Sequence, residues 1–198
     1  RPSIADPFLP QKIAEGRDDQ IRECIGCNIC YAGDQTGTPI RCTQNPTMGE
    51  EWRKGWHPER IPVKGSDASI LIVGGGPAGL EAAVSLGKRG YDVALAESRR
   101  VLGGRVTRES LLPGLGQWVR VRDWRLNQIQ KLSNVDVYLD STIDEEQILE
   151  FAPDRVVVAT GARWRRDGLG RWHSSAIPGS DSASVLTPDD IMDGVMPS

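Results

Sequence analysis

The sequence predicts an α/β fold: a parallel sheet with helices on its faces, preceded by an irregular, cysteine-rich segment. Three observations lead there. From Ser69 onward, short apolar runs alternate with stretches of helical length and pattern. Before Ser69, proline and glycine recur too often for long helices or strands. All four cysteines of the chain fall within that irregular part, between Cys24 and Cys42.

The elements follow in order. Short helical pieces are expected in "LPQKIAEG" (9–16) and "TMGEEWRKG" (47–55), the second opening on Thr47-x-x-Glu50, the pattern of a capping box. A segment so poor in regular structure has little core of its own, and the cysteines are the candidates for holding it. "SILIV" (69–73) is a continuous apolar run that reads as a buried parallel strand. "PAGLEAAVSLGKR" (77–89) reads as a helix, with Pro77 in its first turn and Gly90 just past its end. "DVALAE" (92–97) is the second strand, and "QWVRVRDWRLNQIQKL" (117–132) a helix. "VDVYL" (135–139) and "RVVVAT" (155–160) are further strands, with a helix near "DEEQILEF" between them. No internal repeat or low-complexity segment is visible.

The chain has 198 residues, 38% hydrophobic and 26% charged, which suits one to two globular domains. A net charge of −3 argues against a general nucleic-acid-binding surface. No apolar run reaches the roughly 18 residues of a membrane span. There is no basic-then-apolar leader of the secretory kind, so a cytoplasmic protein is expected. The sequence opens at Arg1 without methionine and closes on "TPDDIMDGVMPS", which begins a helical turn. Both ends suggest an excerpt of a longer polypeptide.

The cysteines are spaced C-x2-C-x2-C-x11-C: Cys24, Cys27, Cys30 and Cys42. Three readings compete. Cysteines three apart rarely bridge without strain, and nothing indicates secretion, which weighs against disulfides. Structural zinc accepts four thiolates but more often takes two separated C-x-x-C pairs. A 4Fe–4S cluster has four iron corners, each needing one thiolate; a compact C-x2-C-x2-C loop wraps three and a more distant cysteine takes the fourth. Gly26 and Asn28 can adopt left-handed angles that turn amide N–H groups toward the sulfurs. The spacing favours the cluster.

"LIVGGGPAGLEAA" supplies Gly74, Gly76 and Gly79 as G-x-G-x-x-G, directly after a predicted strand and opening a predicted helix. The acidic Glu97 ends the next strand, about 20 residues on. Gly74 permits the tight turn, Gly76 lets the backbone approach a pyrophosphate, and Gly79 lets helix and strand pack closely. Pro77 and Ala78 complete the helix start, whose free N–H groups attract phosphate. Glu97 is placed to accept from an adenosine ribose hydroxyl. "LGGR" brings Gly103, Gly104 and Arg105 as a second approach to the phosphates, and "VVVATGA" (156–162) is an apolar strand stopping in a small-residue turn. Together they predict an ADP- or FAD-type site rather than a simple NAD site.

His57 and His173 lack a second histidine or carboxylate at ligand spacing and read as structural. Trp52 and Trp56 read as packing residues between the cysteine segment and a neighbouring domain. "RWRRD" (163–167) reads as a solvated loop, with docking to an electron carrier as the sharper alternative. Asp189 and Asp190, after Thr187 and Pro188, read as a helix start.

"RPSIADPFLPQKIAEGR", "CIGCNIC", "CTQNPTMGEEWRKGWHPE" and the Gly74 turn together resemble the middle of the trimethylamine dehydrogenase family, whose relatives include dimethylamine and histamine dehydrogenases and, more distantly, 2,4-dienoyl-CoA reductase. "LPGLGQW" (112–118) and "ATGARW" (159–164) look closer to the amine dehydrogenases. The resemblance covers nearly the whole chain. It implies that residues 1–20 end a TIM barrel carrying FMN and the substrate site. Residues 21–68 would then be the iron–sulfur segment and linker, and 69–198 part of the ADP- or FAD-binding domain. Arg1 resembles the family arginine near the FMN phosphate, where a guanidinium can grip phosphate oxygens; without the barrel around it, a frayed terminus is expected. The resemblance implies a flavin-dependent amine dehydrogenase that passes electrons from FMN through the cluster to an electron-transferring flavoprotein or similar acceptor, with a homo-oligomer at full length. The alternative is an enoate reductase of the 2,4-dienoyl-CoA reductase type, in which NAD(P)H drives the current the other way; an alternative of another class is a stand-alone electron-transfer or zinc-binding module.

Overall fold

In the computed structural model, residues 1–170 and 173–196 are described; Trp172 and the last two residues of "TPDDIMDGVMPS" lie outside them. The chain divides into two compact units, Arg1–Thr160 and Gly161–Ser198.

The first unit opens on three short helices, α1 (Pro2–Ala5), α2 (Leu9–Ala14) and α3 (Ile29–Gln35), followed by α4 (Glu51–Lys54). The alternating part then runs β1 (Ile70–Val73), α5 (Pro77–Arg89), β2 (Val93–Ala96), α6 (Arg105–Glu109), α7 (Arg120–Ile129), β3 (Val135–Tyr138), α8 (Glu145–Phe151) and β4 (Arg155–Val158). The four strands form one wholly parallel sheet in the order β3-β2-β1-β4. Ile70 stands beside Val93 on one side and Arg155 on the other. The strand order reverses beside β1, and in open α/β sheets ligands bind outside the carboxyl ends of the strands at that switch point.

The apolar runs become strands because both faces of β1 and β2 are covered. On one face Ile70, Ile72, Val93 and Leu95 pack against Leu80, Ala83 and Val84 of α5 and Trp124 and Ile129 of α7. On the other face Leu71, Ala94 and Ala96 meet Ile143 and Ile148. Each fully buried leucine here contributes about 1.5–3 kcal/mol. Gly90 ends α5 with φ 91°, the left-handed angle that glycine supplies without a Cβ clash. β4 is apolar but lies at the sheet edge, and Val158 remains 73% exposed.

The irregular N-terminal segment is held differently. Besides Ala5 and Ile25, its buried residues are polar: Asp6, Lys12, Gln44, Asn45 and Glu50. Lys12 Nζ pairs with Asp6 at 2.7 Å and Glu59 at 2.8 Å, and donates to the Gln20 carbonyl. Asp6 also accepts the N–H groups of Phe8 and Arg22. Buried charges are tolerated because each is paired and hydrogen-bonded.

Three sequence expectations change. The capping box at Thr47 does not form: α4 begins at Glu51, Thr47 Oγ1 donates to Asn45 Oδ1, and Glu50 is taken by Arg41 and Arg53. The helix predicted over 117–132 is split, with a 3₁₀ turn over Gly116–Val119 before α7. Helices α3 and α6 form where no helix was expected.

In the second unit, α9 (Pro188–Met192) starts where the Thr-Pro-Asp-Asp run reads as a helix start, and the structure adds a capping box between Thr187 and Asp190. Arg166 grips both Asp190 carboxylate oxygens at 2.7 Å. Arg165 is paired with Asp167, so two of the basic residues in "RWRRD" have acidic partners. No helix among the described residues is long and apolar enough to cross a membrane.

Candidate functional site

The glycine turn sits between the ends of β1 and β4. Gly74 has φ 107°, and the carbonyl of Ala159 stands where its Cβ would be. Gly79 lies directly over the Gly74 carbonyl, so a side chain there would drive α5 off the strand. Gly76 differs: a Cβ on it would meet nothing within 4 Å. The space beside its backbone is open, as an approaching ligand requires. Gly76 caps α5, and Pro77 and Ala78 are exposed at the helix start, where N–H groups lack intrahelical partners. This cradle fits a pyrophosphate.

Glu97 is buried at the end of β2. One oxygen accepts the Gly75 N–H at 2.7 Å; the other accepts Arg99 N–H at 2.9 Å and the Ser98 hydroxyl at 3.2 Å. Glu97 therefore holds the glycine turn as well as standing near it. Gly75, which the fingerprint leaves as an arbitrary residue, is fixed by this bond and by Leu102 packed against its Cα. The middle glycine of the GGG run was the only sequence signal for it. Gly103 (φ 108°) donates its N–H to the Gly75 carbonyl at 2.8 Å, and Gly104 (φ 54°) comes close to the Gly76 Cα. Arg105, half-buried, begins α6.

All four cysteines are free and half-buried. Gly26 (φ 69°) and Asn28 (φ 63°) curl the backbone in the left-handed region, as their residue types predict. The Gly26 N–H donates to Cys24 Sγ at 3.5 Å, and this bond lowers the Cys24 thiol below its ordinary pKa. Burial pushes the Cys42 thiol up, against the backbone N–H groups of Gln44 and Asn45 that favour its anion. Cys27 Sγ and Thr43 Oγ1 are 3.1 Å apart. Cys30 lies in the first turn of α3. Among the described residues, no three Cys, His, Asp or Glu side chains are disposed around a single metal ion. The donor set, four free thiols with N–H groups aimed at sulfur, fits a cubane cluster with one thiolate at each corner.

Ile25 anchors this loop. It is 5% exposed and packs with Val106 of α6, Val121 of α7, Cys27 and Trp118. α6 thus begins beside the glycine turn and places Val106 against the cysteine loop.

The remaining sequence candidates fall as follows. The Arg1 guanidinium lies 5.3 Å from the centre of the Tyr31 ring, and its terminal nitrogen is 3.5 Å from Cys24 Sγ. His57 is structural: its Nδ1 accepts the N–H groups of Glu59 and Arg60, both at 3.0 Å. His173 forms an isolated antiparallel bridge with Gly170. Trp52 is exposed, while Trp124, which the sequence reading did not single out, donates from Nε1 to Gln20 and carries the Arg22 guanidinium 4.1 Å above its ring.

Comparison with known proteins follows the same lines. A family model described as FAD dependent oxidoreductase matches residues 69–147. The chain is 46% identical over 202 residues to dimethylamine dehydrogenase of Hyphomicrobium sp. (strain x), covering 98% of this chain and 27% of that protein. Its structure is similar to that of histamine dehydrogenase from Rhizobium sp. 4-9, with a TM-score of 0.92 and 59% identity over 100% of this chain and 29% of that one. It is likewise similar to 6-hydroxypseudooxynicotine amine oxidase from Pseudomonas geniculata N1, with a TM-score of 0.92 and 56% identity, over 100% of this chain and 30% of that one. The chain therefore spans just over a quarter of the length of these relatives. It belongs to the family of flavoprotein oxidoreductases that includes the dimethylamine and histamine dehydrogenases.

Proposed function

We propose that this chain is the electron-relay and nucleotide-binding part of an iron–sulfur flavoprotein that oxidises an amine, methylated amines foremost. The observation that carries the reading is the four-thiol loop clamped by Ile25 to α7 and to α6, the helix that begins beside the glycine turn. The names of its relatives, amine dehydrogenases and an amine oxidase, support the substrate class.

A 4Fe–4S cluster bound to Cys24, Cys27, Cys30 and Cys42 supplies one-electron transfer between the FMN expected in a barrel domain and an external acceptor such as an electron-transferring flavoprotein. This chain's share is ligation and placement. The cysteines give thiolates, and the Gly26 N–H holds charge on Cys24. Gly74, Gly76, Pro77, Ala78 and Gly79 present backbone to the pyrophosphate of ADP or FAD. Glu97 fixes the turn and keeps acceptor capacity for a ribose hydroxyl.

The test uses the purified holoprotein under anaerobic conditions. Dimethylamine and histamine are offered in turn, and bleaching of the visible absorption is followed; NADH is offered separately. The nucleotide released by denaturation is then identified. Bleaching by an amine, with ADP released, is the expected result. Reduction by NADH alone, with FAD released, would overturn the amine reading in favour of an enoate reductase.

A further inference from the structure

Behind the cysteine loop lies a buried polar network that neither the glycine turn nor the thiols require. We propose that Gln44 and Arg125 are positioning residues for the cysteine cage, and that the Arg125 guanidinium raises the reduction potential of the cluster held there. The inference rests on the cluster reading given above.

Gln44 is 1% exposed and lies two residues beyond Cys42. Its Nε2 donates to the carbonyl of Glu23, the residue before Cys24, at 3.0 Å. Its Oε1 accepts from Arg125 Nη1 at 2.9 Å. One side-chain amide therefore ties the Cys42 arm of the loop to the Cys24 arm and both to α7. Arg22 adds a bond from Nη1 to the Gln44 carbonyl at 2.6 Å. The amide cannot shift without breaking bonds at several points, so it sets the separation between the first and fourth ligands.

Arg125 is 3% exposed. Nη1 also donates to Val121 at 2.7 Å, and Nη2 pairs with Glu81 of α5 at 2.7 Å. Glu81 is shared with Arg22 at 3.4 Å, so two guanidinium groups face one carboxylate, leaving one net positive charge. That charge is hydrogen-bonded to Gln44, two residues beyond Cys42, and so stands directly behind the Cys42 arm of the loop. An exposed arginine at such a distance would be screened by water and salt; a buried one is screened far less. Reduction adds one electron to the cluster, with no bond made or broken. A fixed positive charge nearby therefore favours the reduced form.

The test is an EPR-monitored redox titration of the purified holoprotein and its variants at matched iron content. Arg125→Gln removes the charge and should lower the midpoint potential. Glu81→Gln removes the opposing charge and should raise it. Arg125→Lys keeps the charge and should restore the potential close to wild type. Gln44→Ala should lose iron to a chelator several-fold faster than wild type. A purely structural role would move iron retention but not the potential in opposite directions. Should Arg125→Gln fail to assemble, Glu81→Gln carries the sign test alone. Iron-replete variants whose potentials stay at the wild-type value, or both move the same way, would overturn the inference and leave the cluster reading standing. Wild-type protein without iron would instead overturn that reading and this inference with it.

Discussion

Gly76 is the glycine of the turn around which the protein's own atoms leave room. At Gly74, Gly75 and Gly79 an added Cβ meets backbone or packed side chains. Gly76→Ala should thus fold as wild type, since φ is −75° and the space is open, yet fill the position a pyrophosphate would take. An unchanged thermal midpoint together with loss of co-purifying nucleotide is the expected outcome; full nucleotide occupancy would remove Gly76 from the site. In the second unit, hydrogen bonding by Arg165 holds the Asp167 carboxyl down to about 2, from an ordinary value of 3.8. A depressed carboxylate contributes stability that is fully present above pH 3.8 and lost as pH falls toward about 2. A carbon-13 titration of Asp167 should show its midpoint near 2; an ordinary midpoint would mean the pair does not persist in solution. The glycines were legible in the sequence because their spacing is tied to one local geometry. The second role of Glu97, gripping Gly75, was not, because a side chain's choice among nearby donors depends on the folded turn.

At the scale of elements, the strands were the most legible. β1 and β2 are continuous apolar runs because helices or apolar side chains cover both their faces. α5 was legible from its proline start and glycine stop. α3 was obscured by the cysteine spacing, which read as a ligand loop, and α6 by two preceding glycines that read as a phosphate-binding turn. The false capping box at Thr47 shows how a local pattern loses to tertiary partners: Asn45 and two arginines captured the groups it needed. The joint between the cysteine loop and α6–α7 is apolar and rests on Ile25. Ile25→Ala should cost about 2–5 kcal/mol and speed iron loss, with the sheet retained. Chemical denaturation and a chelator challenge would check this; unchanged iron retention would show that the loop is held by its polar bonds alone.

Across the whole molecule, two kinds of interior coexist. The sheet and its helices have an apolar core, while the N-terminal segment buries Asp6, Lys12, Gln44 and Asn45 in paired, hydrogen-bonded contacts. Composition hints at the first kind only, because buried polar groups look like surface residues until their partners are known. The sequence therefore showed where the ligands are but not the network that holds them, which joins residues 22, 44, 81 and 125 from distant parts of the chain. Nucleotide binding should stabilise the molecule by mass action: ADP at a hundredfold excess over its Kd adds about 2.7 kcal/mol. A thermal midpoint that rises with ADP in nucleotide-depleted protein is expected; one unmoved by ADP would mean the cradle does not bind it.

The most direct test of the account is metal and sulfide analysis of the purified holoprotein beside its Cys42→Ala variant. Wild-type protein should hold about four irons and four inorganic sulfides per chain, and the variant should lose both. Zinc in place of iron, or iron retained in full without Cys42, would contradict it.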